Sequence, residues 1–200
     1  MERKYAWHNY DDATMEKLYA LSDTYRQFLD NGKTERECVV QAVEFAEAKG
    51  YVNLNDIIKS NTSIKAGDKI YYTHMDKSIA LFNIGTDDIE LGMNILGAHI
   101  DSPRIDVKQN PQYEDSNLVF WDTHYYGGIK KYHWVAMPLA IHGVVVKTDG
   151  THININIGDK ENDPVFCITD LLPHLGQEQM QKNAAKVIEG EALDLLIGSR

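Results

Sequence analysis

The residues whose types and spacing best suit chemistry are His99 and Asp101, in the stretch Gly97-Ala98-His99-Ile100-Asp101-Ser102-Pro103-Arg104. Two positions apart in extended chain, their side chains point to the same side. A neutral imidazole is a good zinc ligand. A carboxylate two residues on can hold its ring and raise its basicity, which metal-bound histidines usually require. The preceding run, Met93–His99, is apolar on both faces, as expected of a strand inside a covered sheet. The pair would then sit at the carboxyl end of a strand, where open α/β sheets place their ligands. Pro103 stops that strand. His-x-Asp equally fits a plain hydrogen bond at a strand end, and these residues alone leave both readings open.

The other candidates read more simply. Cys38 and Cys167 lie too far apart in sequence for a zinc-binding motif and read as two free thiols of a reducing cytoplasm. His8, His74, His124, His133, His142 and His152 read as surface or structural histidines. Tyr125-Tyr126-Gly127-Gly128 reads as packing around a glycine turn.

The elements that must position these residues fall into two kinds. Leu18, Leu21, Tyr25, Phe28 and Leu29 recur at helical spacing, and Asn31-Gly32 predicts a left-handed termination. Thr34 and Glu37 form a capping box for a second helix, with Cys38, Val39, Ala42, Val43 and Ala46 as its apolar stripe. Strands are then predicted over 69–72, 78–84 and 93–99. After Pro103 the chain turns β-rich, with strands over 105–108, 117–123, 139–147, 152–157 and 165–168. A hairpin turn is predicted at Thr148-Asp149-Gly150. This predicts an α/β part over 1–104 and a β-rich part over 105–200.

Composition excludes several classes of function. The 200 residues are 43% hydrophobic and 25% charged, enough for packed cores. A formal net charge of −10 repels nucleic acid. The apolar runs fall far short of the roughly 20 residues that span a membrane. The first residues lack a signal peptide's apolar segment. A cytoplasmic protein is expected.

Five ordered stretches carry a resemblance. Gly97 through Lys108 resembles the segment that carries the first zinc ligand in the aspartyl aminopeptidase/aminopeptidase I family of zinc metallopeptidases. Lys77–Gly85, His124-Tyr125-Tyr126-Gly127-Gly128-Ile129, Leu139–Lys147 and Leu172-Pro173-His174-Leu175 resemble further family segments in the same order. Lys130-Lys131-Tyr132-His133-Trp134 is nearer to the bacterial subgroup and leaves the preferred N-terminal residue open.

The resemblance implies a zinc-peptidase α/β domain interrupted by a β-rich dimerisation domain. It implies a zinc-dependent aminopeptidase acting on peptides, with two zinc ions in the complete enzyme, and a homo-oligomer. It makes His99 a zinc ligand, Asp101 its orienting carboxylate, and His174 a group that reaches a neighbouring subunit's active site. The remaining metal ligands are expected after Arg200, so the 200 residues are expected to be an inactive N-terminal portion. A related zinc amidohydrolase or deacylase, or a non-catalytic assembly module, stand as alternatives.

Overall fold

The structure, a computed structural model, describes residues 5–199. It is mixed α/β and divides into two compact units, one through Asp101 and one from Ser102 on.

In the first unit, helix α1 (Asp12–Asn31) starts where the Asp11 carboxylate accepts from the Thr14 amide at 2.8 Å. Helix α2 (Glu35–Ala48) carries the capping box expected at Thr34 and Glu37, both reciprocal bonds being present. The link between the helices departs from expectation. Gly32 has φ −115°, not the left-handed value. Its lack of a side chain serves close packing instead: a Cβ there would meet Cys38 Sγ and Gln41 Nε2 at 2.9 Å and the Phe28 carbonyl at 3.0 Å. Gln41 Nε2 donates to that same carbonyl at 3.1 Å, and the rings of Phe28 and Phe45 stack at 6.4 Å. These contacts lie at the last turn of α1, which contributes no buried residue to the unit.

A short strand β1 (Val52–Asn53) leads into helix α3 (Leu54–Lys59), capped by the Asn53 side chain. Strand β2 (Lys69–His74) pairs parallel with β1 and antiparallel with β3 (Ser78–Asn83). The sheet order is β1-β2-β3, and the unit's buried hydrophobic residues are Ile70 and Tyr71 of β2 and Cys38, Val39 and Ala46 of α2. The expected strand over 93–99 does not form. The run is without regular structure and joins no ladder among the described residues; Ile95 is 80% and Leu96 100% exposed. A strand is made by its partners' hydrogen bonds, and the described residues supply none here.

In the second unit, β4 (Arg104–Asp115) and β5 (Leu118–Tyr126) form a long antiparallel hairpin with an irregularity between Val107 and Gln112. Strand β8 (Leu195–Ser199) adds to β5, giving the order β4-β5-β8. Strands β6 (Ile141–Val146) and β7 (His152–Ile157) form a separate two-stranded hairpin. Its turn is the expected one: Gly150 takes φ 83° and the Asp149 carboxylate accepts from the Thr151 amide at 2.8 Å. The segment 165–168, expected as a strand, makes single bridges to Leu139, Val135 and Leu196 rather than a continuous ladder. These bridges fasten it over a core of Ile168, Ile188, Leu193 and Leu195, against which Ile105, Trp121, Trp134, Val135 and Phe166 pack. A one-turn helix α4 (Gln177–Met180) is the only α-helix among the unit's described residues.

Candidate functional site

His99 and Asp101 are adjacent in the first unit, as their spacing predicts. His99 Nδ1 lies 3.0 Å from the Asp101 carbonyl oxygen and 3.4 Å from Asp101 Oδ1. Both neighbours are acceptors, which suits a proton on Nδ1; in the neutral ring Nε2 is then the lone-pair nitrogen on the far side. That tautomer suits a metal ligand binding through Nε2. The imidazole is 85% exposed and the Asp101 side chain 42% exposed. The pair sits on a segment without regular structure rather than at a strand end.

His174 lies in the second unit at the tip of a turn. The Leu175 and Gly176 amides both donate to the Leu172 carbonyl at 2.9 Å. Proline at the second position presets the backbone for such a turn, so Leu-Pro-His-Leu folds with Pro173 and His174 at the apex. His174 is exposed, as are Leu172 and Leu175 on either side of it. Pro173 of this turn also lines a cleft with Tyr132, Val135, Asp170, Met180 and Ile188. The Asp170 carboxylate is held by Gln179 Nε2 at 2.9 Å.

The described residues contain no group of three or more His, Cys, Asp or Glu side chains arranged to hold a metal ion. A catalytic zinc takes about three protein ligands. His99 with Asp101 suits one such ligand and its orienting partner, not a complete centre.

The second unit also carries a polar face that the sequence reading did not single out. Arg104 pairs with Tyr126 and Asp106 with His124 across the hairpin. Arg104 Nε donates to Asp106 Oδ1 at 2.8 Å, its guanidinium lies 4.5 Å from the Tyr126 ring, and His124 Nε2 is 3.9 Å from Asp106. Further along, Lys108 Nζ reaches Asp122 at 2.8 Å and Glu191 at 3.0 Å. Those two carboxylates push the Lys108 ammonium pKa up. Alternation of polar and apolar residues over Arg104–Lys108 was the available signal. At the end of this hairpin Gly127 takes φ 75° and packs on Pro103, where a Cβ would meet the proline ring at 3.3 Å. The Ser-Pro-Arg and Tyr-Gly-Gly stretches are thus two ends of one paired structure, and Tyr125-Tyr126-Gly127-Gly128 is the glycine turn its composition indicated.

Residues 28–198 match the family described as aminopeptidase I zinc metalloprotease, M18. The chain belongs to that family. It is 53% identical over 198 residues to a probable M18 family aminopeptidase 1 of Clostridium acetobutylicum, covering 99% of this chain and 43% of the relative. The counterpart from Thermotoga maritima is 44% identical over 203 residues. Among solved structures, the M18 aminopeptidase from Thermotoga maritima superposes with a TM-score of 0.89 at 44% identity, over all of this chain and 42% of that one. Aminopeptidase I from Clostridium acetobutylicum gives 0.85 at 52% identity, over all of this chain and 43% of that one. The M18 assignment agrees with the expected family and α/β fold, and with zinc as the family's metal. The chain spans less than half the length of these relatives.

Proposed function

We propose that these 200 residues serve as the N-terminal portion of a zinc-dependent aminopeptidase that removes N-terminal residues from peptides. The observation that carries this reading is the contact of His99 Nδ1 with Asp101 within a chain of the M18 family. His99 Nε2 is the metal ligand, and Asp101 is a positioning residue that fixes the ring through Nδ1. His99 would hold one of the two zinc ions of the complete enzyme, and such ions would supply Lewis-acid polarisation of the scissile carbonyl and a bound water of lowered pKa. His174, on its exposed turn, donates a hydrogen bond to the oxyanion in a neighbouring subunit's site, where charge develops in the transition state. The protein is a homo-oligomer built through the β-rich second unit; the exposed Val145, Val146 and Ile153 of the β6–β7 hairpin support this. A cytoplasmic location is supported by two free thiols, Cys38 and Cys167. With one metal-ligating imidazole identified, the 200-residue chain by itself binds zinc weakly and is inactive.

The test joins this chain to the part of the Clostridium acetobutylicum relative outside the matched stretch. The chimera is assayed on aminoacyl anilides and on N-acylated amino acids, with zinc content measured alongside. Aminopeptidase activity lost on His99→Ala is the expected result. Hydrolysis of the acylated substrates alone would favour a deacylase. A folded, zinc-loaded chimera whose activity ignores His99→Ala would refute the reading.

A further inference from the structure

The turn that carries His174 is closed at its base by a polar tie. Asp170 Oδ1 accepts from the Leu171 amide at 2.8 Å and from Gln179 Nε2 at 2.9 Å. The second bond joins residues nine apart and makes 170–179 a closed loop, with Pro173 and His174 midway along it. Both ends of the loop are fastened. Two residues before Asp170, Ile168 is buried in the core, and its carbonyl accepts from the Ala136 amide at 2.8 Å. At the other end Gln179 lies in α4, whose Met180 amide donates to the Gly176 carbonyl at 2.9 Å. The Gln179 side chain passes across Gly176, which is buried: a Cβ there would meet Gln179 Oε1 at 3.1 Å and the Leu172 carbonyl at 3.4 Å. Gly176 has φ −92°, a value open to any residue, so the glycine serves this close approach and not the backbone angle. One glutamine amide therefore reaches both the base of the loop and the residues that close the turn.

We propose that Asp170 and Gln179 are positioning residues for His174, their tie fixing the loop on which the imidazole is presented. This rests on the reading of His174 as an oxyanion donor given above. The bonds to the Leu172 carbonyl keep the shape of the turn itself, but they do not stop the turn from swinging on its base. The Asp170–Gln179 bond does, because it joins the two arms on which the turn stands. A donor to an oxyanion must lie about 2.7–3.1 Å from it. Misplacing a reacting group by about 1 Å can cost roughly 100-fold in rate. Asp170 is exposed and Gln179 half-buried, so loss of the tie frees the loop and leaves the core of Ile168, Ile188, Leu193 and Leu195 packed.

The test measures kcat and KM of the chimera described above, as Gln179→Leu, Asp170→Ala, Asp170→Asn, His174→Ala and the double variant Gln179→Leu/His174→Ala. Leucine keeps the bulk of Gln179 and removes its donor. Gln179→Leu and Asp170→Ala are each expected to lower kcat by about 10–100-fold with KM little changed. Asp170→Asn keeps the accepting oxygen and is expected to retain most of kcat. The double variant is expected to be no slower than His174→Ala alone, because the tie acts only through that imidazole. A merely structural role would add its loss to that of His174→Ala. A second measurement uses the 200-residue chain and needs no activity. In Gln179→Leu the Leu175 and Gly176 amides should exchange roughly tenfold faster, the worth of about one hydrogen bond. The Phe166 and Leu196 amides, bonded beside the core to Leu139 and Cys167, should exchange as in wild type. Three results would overturn the proposal: wild-type kcat in Gln179→Leu, losses that multiply in the double variant, or unchanged exchange at Leu175 and Gly176. If any of these occurs while His174→Ala is impaired, the tie is refuted and the reading of His174 survives. A fully active His174→Ala chimera removes that reading, and this inference with it.

Discussion

Thr123→Val should destabilise the second unit more than its small change in shape suggests. Thr123 is 1% exposed in the middle of β5, and its hydroxyl donates to the carbonyl of Leu193, which is fully buried. That bond ties the loop before β8 to the sheet, and the Thr123 amide adds a second tie by donating to Asp194 Oδ1 at 3.3 Å. Valine fills nearly the same volume, so packing is kept and a buried carbonyl loses its donor. The cost of such an orphaned group is about 1–3 kcal/mol. For a unit of roughly 100 residues each kcal/mol shifts the melting temperature by about 4–8 °C, so a cost near 2 kcal/mol lowers it by roughly 8–16 °C. Trp121 and Trp134 both pack on this core, so tryptophan fluorescence in a urea titration reports the unit's unfolding. Thr123→Ser is the control: it keeps the hydroxyl and loses one methyl, worth about 0.8 kcal/mol. A valine variant as stable as wild type, or more stable than the serine variant, would refute the assignment of the hydroxyl as the tie.

Four further outcomes are expected. Gly32→Ala forces a Cβ against Cys38, Gln41 and the Phe28 carbonyl and should cost the first unit about 1–3 kcal/mol in chemical denaturation; a neutral result would show that the link relaxes freely. The Tyr113 hydroxyl is pushed up to about 12, first by burial and then by its 2.7 Å bond to Asp194. Its folded pKa thus lies above the unfolded value of about 10, so its contribution to stability is complete below pH ~10 and is lost as pH rises through the folded pKa. Unfolding midpoints of wild type and Tyr113→Phe should therefore converge over that window, and parallel curves would contradict the linkage. In the active chimera, Asp101→Asn should lower zinc affinity or activity about 10–100-fold, and full zinc occupancy with full activity would remove the positioning role. Inactive His99→Ala and His174→Ala chimeras, once reassembled together, should recover part of the activity if His174 serves a neighbouring subunit; proven subunit exchange without recovery would place it elsewhere.

Local chemistry was legible in the sequence and long-range pairing was not. The Thr34–Glu37 capping box, the Asp149-Gly150 turn and the His99–Asp101 contact each span four residues or fewer, and each forms as its residue types dictate. Strand β8 pairs Ser199 with Leu118, and the Tyr113–Asp194 bond joins residues 81 apart. Nothing in either local sequence names its partner. The same distinction accounts for segment 165–168, whose β pattern is real but whose neighbours allow only single bridges.

The run 93–99 shows the limit from the other side. Its sequence carries the apolar pattern expected of a covered strand, while the described residues provide neither ladder nor cover. Side-chain pattern states which environment would stabilise a segment; hydrogen-bonded partners decide whether the segment becomes a strand. His99 terminates this run, so the candidate zinc ligand is carried by backbone that joins no ladder among the described residues. Asp101 fixes the rotation of the imidazole, but it moves with the same backbone and cannot fix the ring in space. A metal ligand must be held to within about half an ångström by rigid supporting elements. Zinc affinity at His99 should therefore rise with protection of the preceding amides, and the two measurements, made on the chain alone and on the chimera, should change together.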